Sequence, residues 1–125
     1  MAPGYLPDFL GIQVLRVDNR EVELELQVQQ KHLAPNDYLH GGNVVALADT
    51  AAGYGALANL PDDAKGFTAI ELKSNFLGIA RDGTIRCLGH ALHRGRTTQV
   101  WDARIWAVES NKIIAQFRCA QMVLY

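Results

Sequence analysis

The chain has 125 residues, room for one hydrophobic core and one domain, expected to span residues 1 to 125. Apolar residues make up 49% and charged residues 20%, the composition of a soluble globular protein. Twelve Lys and Arg against thirteen Asp and Glu leave a formal net charge of −1, which argues against a nucleic-acid partner.

The first residues, MAPGYLPDFLGIQVL, lack a basic stretch followed by a long apolar run, so no signal peptide is expected. No segment approaches the roughly 18 to 20 consecutive apolar residues of a membrane helix. Cys87 and Cys119 show no CxxC pattern and suit buried thiols in a reducing compartment. The expected location is cytoplasmic, with no membrane partner.

Pro3, Gly4 and Pro7 predict an irregular or one-turn helical lead-in, with Phe9 and Leu10 available to dock on the body. A strand follows from Ile12 to Val17, closed by Asp18-Asn19. EVELELQVQ then alternates strictly, Val22, Leu24, Leu26 and Val28 facing one way, as in a half-buried antiparallel strand. QKHLAPNDY is a loop. A helix of about 18 residues is expected from near Gly41 to Asn59, stopped by Pro61. Strands follow over Phe67 to Leu77, Thr84 to His93, Thr97 to Val108 and Ile113 to Leu124, with turns at Arg81-Asp82-Gly83, Arg94-Gly95 and Glu109 to Lys112. One long helix with an antiparallel sheet wrapped around it is an α+β layout.

The helix is built from small residues, and Gly53 and Gly55 inside it each cost roughly 1 kcal/mol relative to alanine. Such glycines point to close packing or to access. Asp49 stands on its face with Val45, Ala52 and Gly53, and no basic residue lies between 41 and 58. Most helical acids are surface residues, and Thr50 offers a nearby hydroxyl. A carboxylate on an apolar stripe without a local partner is nevertheless a functional-site candidate, as a nucleophile or as a general base. His40-Gly41-Gly42 opens the helix. Glycine backbone N–H groups at a helix start suit an oxyanion, although the same residues also serve a plain loop-to-helix turn.

Gly41 and Asp49 are eight residues apart, roughly 12 Å along a helix. An oxyanion donor and an attacking carboxylate must both come within about 3 Å of one reacting group. One helix cannot supply both, whereas two antiparallel helices across a twofold axis can. If both features are catalytic, the protein is at least a dimer with two composite sites.

LHGGNVVALADTAAGY, followed by TAIELKSNFLGIARDGTI and HRGRTTQVWDARIW, resembles the hotdog-fold acyl-CoA thioesterases. The likeness is to the phenylacetate-degradation type, related to the 4-hydroxybenzoyl-CoA thioesterases, and runs from about residue 9 to the C-terminus. It implies a homodimer or homotetramer that hydrolyses an acyl-CoA, aryl or medium-chain, with no cofactor beyond the coenzyme A thioester itself. Asp49 takes the place of the catalytic acid, Gly41 of the glycine whose N–H holds the thioester oxygen, and His40 of a histidine lining the site. These come from opposite subunits in the family. Gly42, Gly53, Thr68, Phe76 and Asn36 fall at substrate-contacting positions. Arg94, Gly95 and Arg96 fall in a segment near the coenzyme A phosphates, and equally read as a solvated hairpin tip. The chain departs from the pattern at Ala34, where many relatives carry Asn or Gln, and at Gly53, where some carry a hydroxyl. Thr68 is the expected source of a hydroxyl from the strand.

Other signals are weaker. His90 and His93 are expected on opposite faces of a strand and lack a third ligand, so no metal site is expected. Gly53-Tyr54-Gly55 lies inside the helix and fails the context of a dinucleotide turn. Trp101 and Trp106 are expected on opposite faces of one strand. Two further functional readings fit the same residues: an acyl-CoA or acyl-carrier binding protein without turnover, and a structural dimerisation domain with a solvated Asp49.

Overall fold

The computed structural model describes residues 3 to 125. In chain order it comprises α1 (Leu6–Leu10), β1 (Gln13–Val17), β2 (Glu21–Gln27), a 3-10 turn (Gln30–His32), α2 (Gly41–Ala58), β3 (Gly66–Phe76), β4 (Thr84–Arg94), β5 (Thr98–Ala107) and β6 (Lys112–Leu124). The six strands form one antiparallel sheet in the order β1-β2-β4-β5-β6-β3. The chain therefore leaves β2, passes through α2, and resumes as the opposite edge, β3. Strands 4 to 6 then fill the interior by successive hairpins. The sheet curls around α2, the arrangement the sequence resemblance implies. No helix among the described residues is long and apolar enough to cross a membrane.

Period-two alternation carries the core. Val22, Leu24 and Leu26 of β2 face Ile85 and Cys87 of β4, Trp101 and Ile105 of β5, and Phe117 and Cys119 of β6, all buried. Against them α2 lays Val44, Leu47, Ala48, Ala51, Ala52 and Ala56. Its small residues set the distance. The Ala51 side chain would lie 3.3 Å from a Cβ added to Gly89 in β4, and Gly55 sits directly on the Trp101 indole. Trp101 donates its indole N–H to Gln99 Oε1 at 2.8 Å, while Gln99 Nε2 donates to the Asn59 carbonyl at 3.2 Å. One buried pair thus ties β5 to the C-terminal end of α2 and satisfies a carbonyl that the helix leaves open.

Three local expectations are revised. Phe9 does not dock: it is exposed, with the Lys31 ammonium over its ring, and only Leu10 packs against the core. His90 and His93 share the outer face instead of splitting across it. A bulge between Ala91 and His93 adds a residue, so His90 pairs with Asp102 and His93 with Val100. Thr68 pairs with Met122 and points away from α2, because the buried positions on this part of β6 are Cys119, Gln121 and Val123. Trp101 is fully buried and Trp106 lies on the outer face beneath the Arg104 guanidinium.

The contact of Gly55 with Trp101 makes a stability prediction. Gly55→Ala gains up to about 1 kcal/mol of helix propensity and must displace an indole held by a hydrogen bond, so a net loss of about 1–3 kcal/mol is expected. Gly53→Ala meets only the Phe67 ring at 3.4 Å and should be neutral or stabilising. Urea unfolding of the two variants measures the difference.

Candidate active site

The N-terminus of α2 is organised by His40. Its backbone carbonyl accepts from the Asn43 and Val44 N–H groups, at 3.0 and 3.2 Å. Its ring Nδ1 accepts from the Gly42 N–H at 2.8 Å. A Cβ on Gly42 would stand 2.9 Å from that nitrogen, so glycine is what lets the histidine fold back as a cap. Of the first four helical N–H groups, three are thereby satisfied, and only that of Gly41 has no partner among the described residues. Because Nδ1 is an acceptor, the neutral ring carries its proton on Nε2.

Gly41 lies against the Phe76 ring, 3.1 Å from where a Cβ would begin. Ala34, Asn36, His40, Gly41 and Phe76 line one cavity of about 420 Å³, with Val44, Ile79 and Ile114 among its apolar walls. The expected site residues at the helix start are therefore brought together. Asn36 is already engaged within its turn, accepting from the Tyr38 N–H at 3.1 Å.

Asp49 is not in that cavity. It sits two turns further along α2, half-buried, above Cys119 of β6, whose thiol lies 4.0 Å from its Oδ1. No ion pair reaches it among the described residues, and the Thr50 hydroxyl donates instead to the Ala46 carbonyl at 2.6 Å. Burial raises the Asp49 carboxyl above the ordinary aspartate range. The same burial, together with the Asp49 charge, pushes the Cys119 thiol up to about 11. That thiol is a neutral neighbour and not a nucleophile. Burial alone raises the Cys87 thiol further.

The hairpin residues lie at the far end of the helix. Arg94 donates to the Asn19 carbonyl at 2.9 Å and to Asn59 Oδ1 at 3.4 Å. Arg96 forms a two-pronged pair with Asp63 and stacks over Tyr125. Both guanidiniums are exposed and have partners within the chain. Gly95 closes the turn by donating to the Thr98 carbonyl at 2.8 Å. No cluster of three or more His, Cys, Asp or Glu side chains suited to a metal occurs among the described residues.

Three side chains that sequence reading passed over carry buried polar atoms without a partner: Asn43, Ser74 and Gln121. Ser74, opposite Phe117, is the inward hydroxyl of β3 in place of Thr68. Gln121 was legible in FRCAQMV, where Phe117, Cys119 and Val123 alternate inward and a glutamine occupies the third of the four inward positions.

The thioesterase superfamily model matches residues 36–114, which include both the helix start and Asp49. The chain belongs to the thioesterase superfamily. It is 33% identical over 114 residues to a 1,4-dihydroxy-2-naphthoyl-CoA hydrolase from Listeria monocytogenes, covering 91% of each chain. Among solved structures it is similar to a mutant thioesterase from Pseudomonas aeruginosa, with a TM-score of 0.90 and 27% identity over 97% of this chain and 86% of that one. It is equally close to a thioesterase from Staphylococcus aureus, with a TM-score of 0.90 and 25% identity over 95% of this chain and 98% of that one. That enzyme was solved once with a glutamine and once with a glutamate replaced by alanine, and the interval between those positions equals that between Ala34 and Asp49.

The raised Asp49 pKa makes a prediction with a definite sign. The folded chain binds its proton more readily than the unfolded chain, so stability falls as pH rises through the carboxylate range. Asp49→Asn should melt above wild type at pH 7. The gap should close as wild type is acidified below the ordinary aspartate range. Thermal melts of both proteins from pH 3 to pH 8 check this.

Proposed function

We propose that the protein is an acyl-CoA thioesterase working as a homo-oligomer of at least two chains, each site combining Asp49 of one protomer with the helix start of its partner. The carrying observation is the pairing of a free Gly41 N–H at the helix start with an unpaired, half-buried carboxylate two turns away. Roughly 12 Å of helix separates them, too far for one reacting carbonyl. Two α2 helices laid antiparallel would oppose each Gly41 to the other chain's Asp49.

An uncovered edge supports this reading. Strand β3 has no neighbour on its outer side among the described residues, and Ile70, Leu72 and Phe76 along it are exposed. Such an edge is a template for pairing with another chain. Leu72 pairs with Cys119 and Phe76 lies on Gly41, so a second copy on this edge would cover both halves of the site. In such a site the thioester oxygen takes the Gly41 N–H, and the positive helix end stabilises charge developing there. Asp49 either attacks the acyl carbon, expelling coenzyme A and leaving an anhydride for water to open, or takes a proton from the attacking water. Either route consumes one water and yields the free acid and coenzyme A. No cofactor enters it. Single-turnover hydrolysis in ¹⁸O water separates the routes: base catalysis places the label in the product acid, whereas direct attack, with water opening the anhydride at the Asp49 carbonyl, places it in Asp49.

The relatives' names and the matching interval to a mutated glutamine and glutamate favour hydrolysis over binding without turnover. Ala34 then stands where that thioesterase has glutamine, so the positioning of thioester or water falls to other groups. The exposed Arg94–Gly95–Arg96 tip is the proposed contact for the coenzyme A phosphates, in exchange for the ion pair with Asp63.

Thiol release over a panel of acyl-CoAs tests the reading. Asp49→Asn should lower kcat about 10²- to 10⁴-fold, and undiminished turnover would sink the mechanism. The acid limb of the wild-type pH profile should lie above the ordinary aspartate range, because Asp49 acts only when ionised. A second experiment addresses the composite site. Asp49→Asn and Gly41→Val chains, each inactive alone, should recover activity when mixed and reassembled, since one site of each hybrid dimer is intact. No recovery in verified hybrids would place both residues in one chain's site.

A further inference from the structure

Gln121 is a buried amide with nothing to bind. Only 1% of its surface is exposed, and neither its side-chain nitrogen nor its oxygen has a hydrogen-bond partner among the described residues. Its cross-strand neighbour Gln99, equally buried, shows the contrast. That amide donates to the Asn59 carbonyl and accepts from the Trp101 indole. Native interiors rarely leave both ends of an amide unpaired.

Its position is fixed by contacts along α2. Gly41 packs on Phe76, which pairs with Ala115; Asp49 lies over Cys119; Gly53 faces Phe67, which pairs with Val123. Gln121 therefore lies between the levels of Asp49 and Gly53. It is one inward step beyond Cys119, roughly 7 Å along the strand. An aryl ring or short chain attached to a carbonyl held at Asp49 bridges that span. Above this point α2 carries no side chain at Gly53, and the partly exposed Phe67 ring occupies the volume, 3.4 Å from where a Cβ would stand.

We propose that Gln121 is a specificity-determining residue whose amide hydrogen-bonds a hydroxyl on the distal part of the acyl group, reached when the Phe67 ring swings off Gly53. The inference rests on the thioesterase reading above. An amide presents one donor face and one acceptor face, and a hydroxyl answers both. A carboxylate would satisfy only the nitrogen, and an apolar acyl group would satisfy neither. Aromatic acyl groups suit the exchange, since one ring replaces another in the same volume.

The test compares pairs of aryl-CoA thioesters that differ only by one ring hydroxyl, at each ring position, in wild type and Gln121→Met. Thiol release is read alongside calorimetric binding of the matching non-hydrolysable thioether analogues. Wild type should favour the hydroxylated member of at least one pair by about 10-fold or more in kcat/KM. Gln121→Met should erase that preference, and Phe67→Leu should raise kcat/KM for the bulkier aryl groups. A wild type with no preference at any position overturns the proposal. So does a preference that survives in folded Gln121→Met, which would leave Gln121 bound to a structural water. If Gln121→Met fails to fold, Gln121→Leu also removes both the donor and the acceptor, and the same ratio is read from it. Absence of thiol release, with the hydroxyl preference retained in analogue binding, strikes the hydrolase reading alone.

Discussion

The close seating of α2 on the sheet is the constraint on which the rest of the molecule depends. Gly55 on Trp101 and Ala51 over Gly89 bring the helix nearer than larger side chains would allow. Dense packing of this kind leaves little freedom for the helix to slide or rotate. Its position then determines what lies under each turn: Phe76 beneath Gly41, Cys119 beneath Asp49, Phe67 beside Gly53. The glycines cost helix propensity, and the close burial they permit offsets it.

Two electrostatic features ride on that helix, and each is left incomplete by its own chain. At the start, His40 satisfies Asn43 and Val44 through its carbonyl and Gly42 through its ring, leaving the Gly41 N–H as the single free donor. Two turns on, Asp49 has a weak thiol contact and no counter-charge among the described residues. An unpaired carboxylate in a half-buried setting is unfavourable for stability, and sites of chemistry are where such costs are retained. The exposed apolar edge of β3 gives the two incomplete halves a common reason to be covered by a second chain.

Departures from regular alternation locate most of what sequence reading misplaced. The bulge at Ala91 and His93 moved His93 to the face of His90. Pairing of β3 with β6 turned Thr68 outward and Ser74 inward. Side-chain faces in a strand have period two, so a single extra residue or a different register reverses them. By contrast, the helix starts at Gly41 as the sequence indicates, with His40 capping the Gly42 N–H and leaving that of Gly41 free, because helix capping is a matter of residues adjacent in sequence.

By itself, then, the sequence determined the element types, their order, the long helix with its acid and its glycine start, and the superfamily resemblance. Those properties depend on local periodicity and on residues a few positions apart. Only the tertiary structure decided the order of strands in the sheet, the placement of β3 at an open edge, the thiol beneath Asp49 and the unpaired amide of Gln121. Each of these arises from pairings between segments distant in the chain. The free energy of burying one surface against another has no signature in either segment read alone.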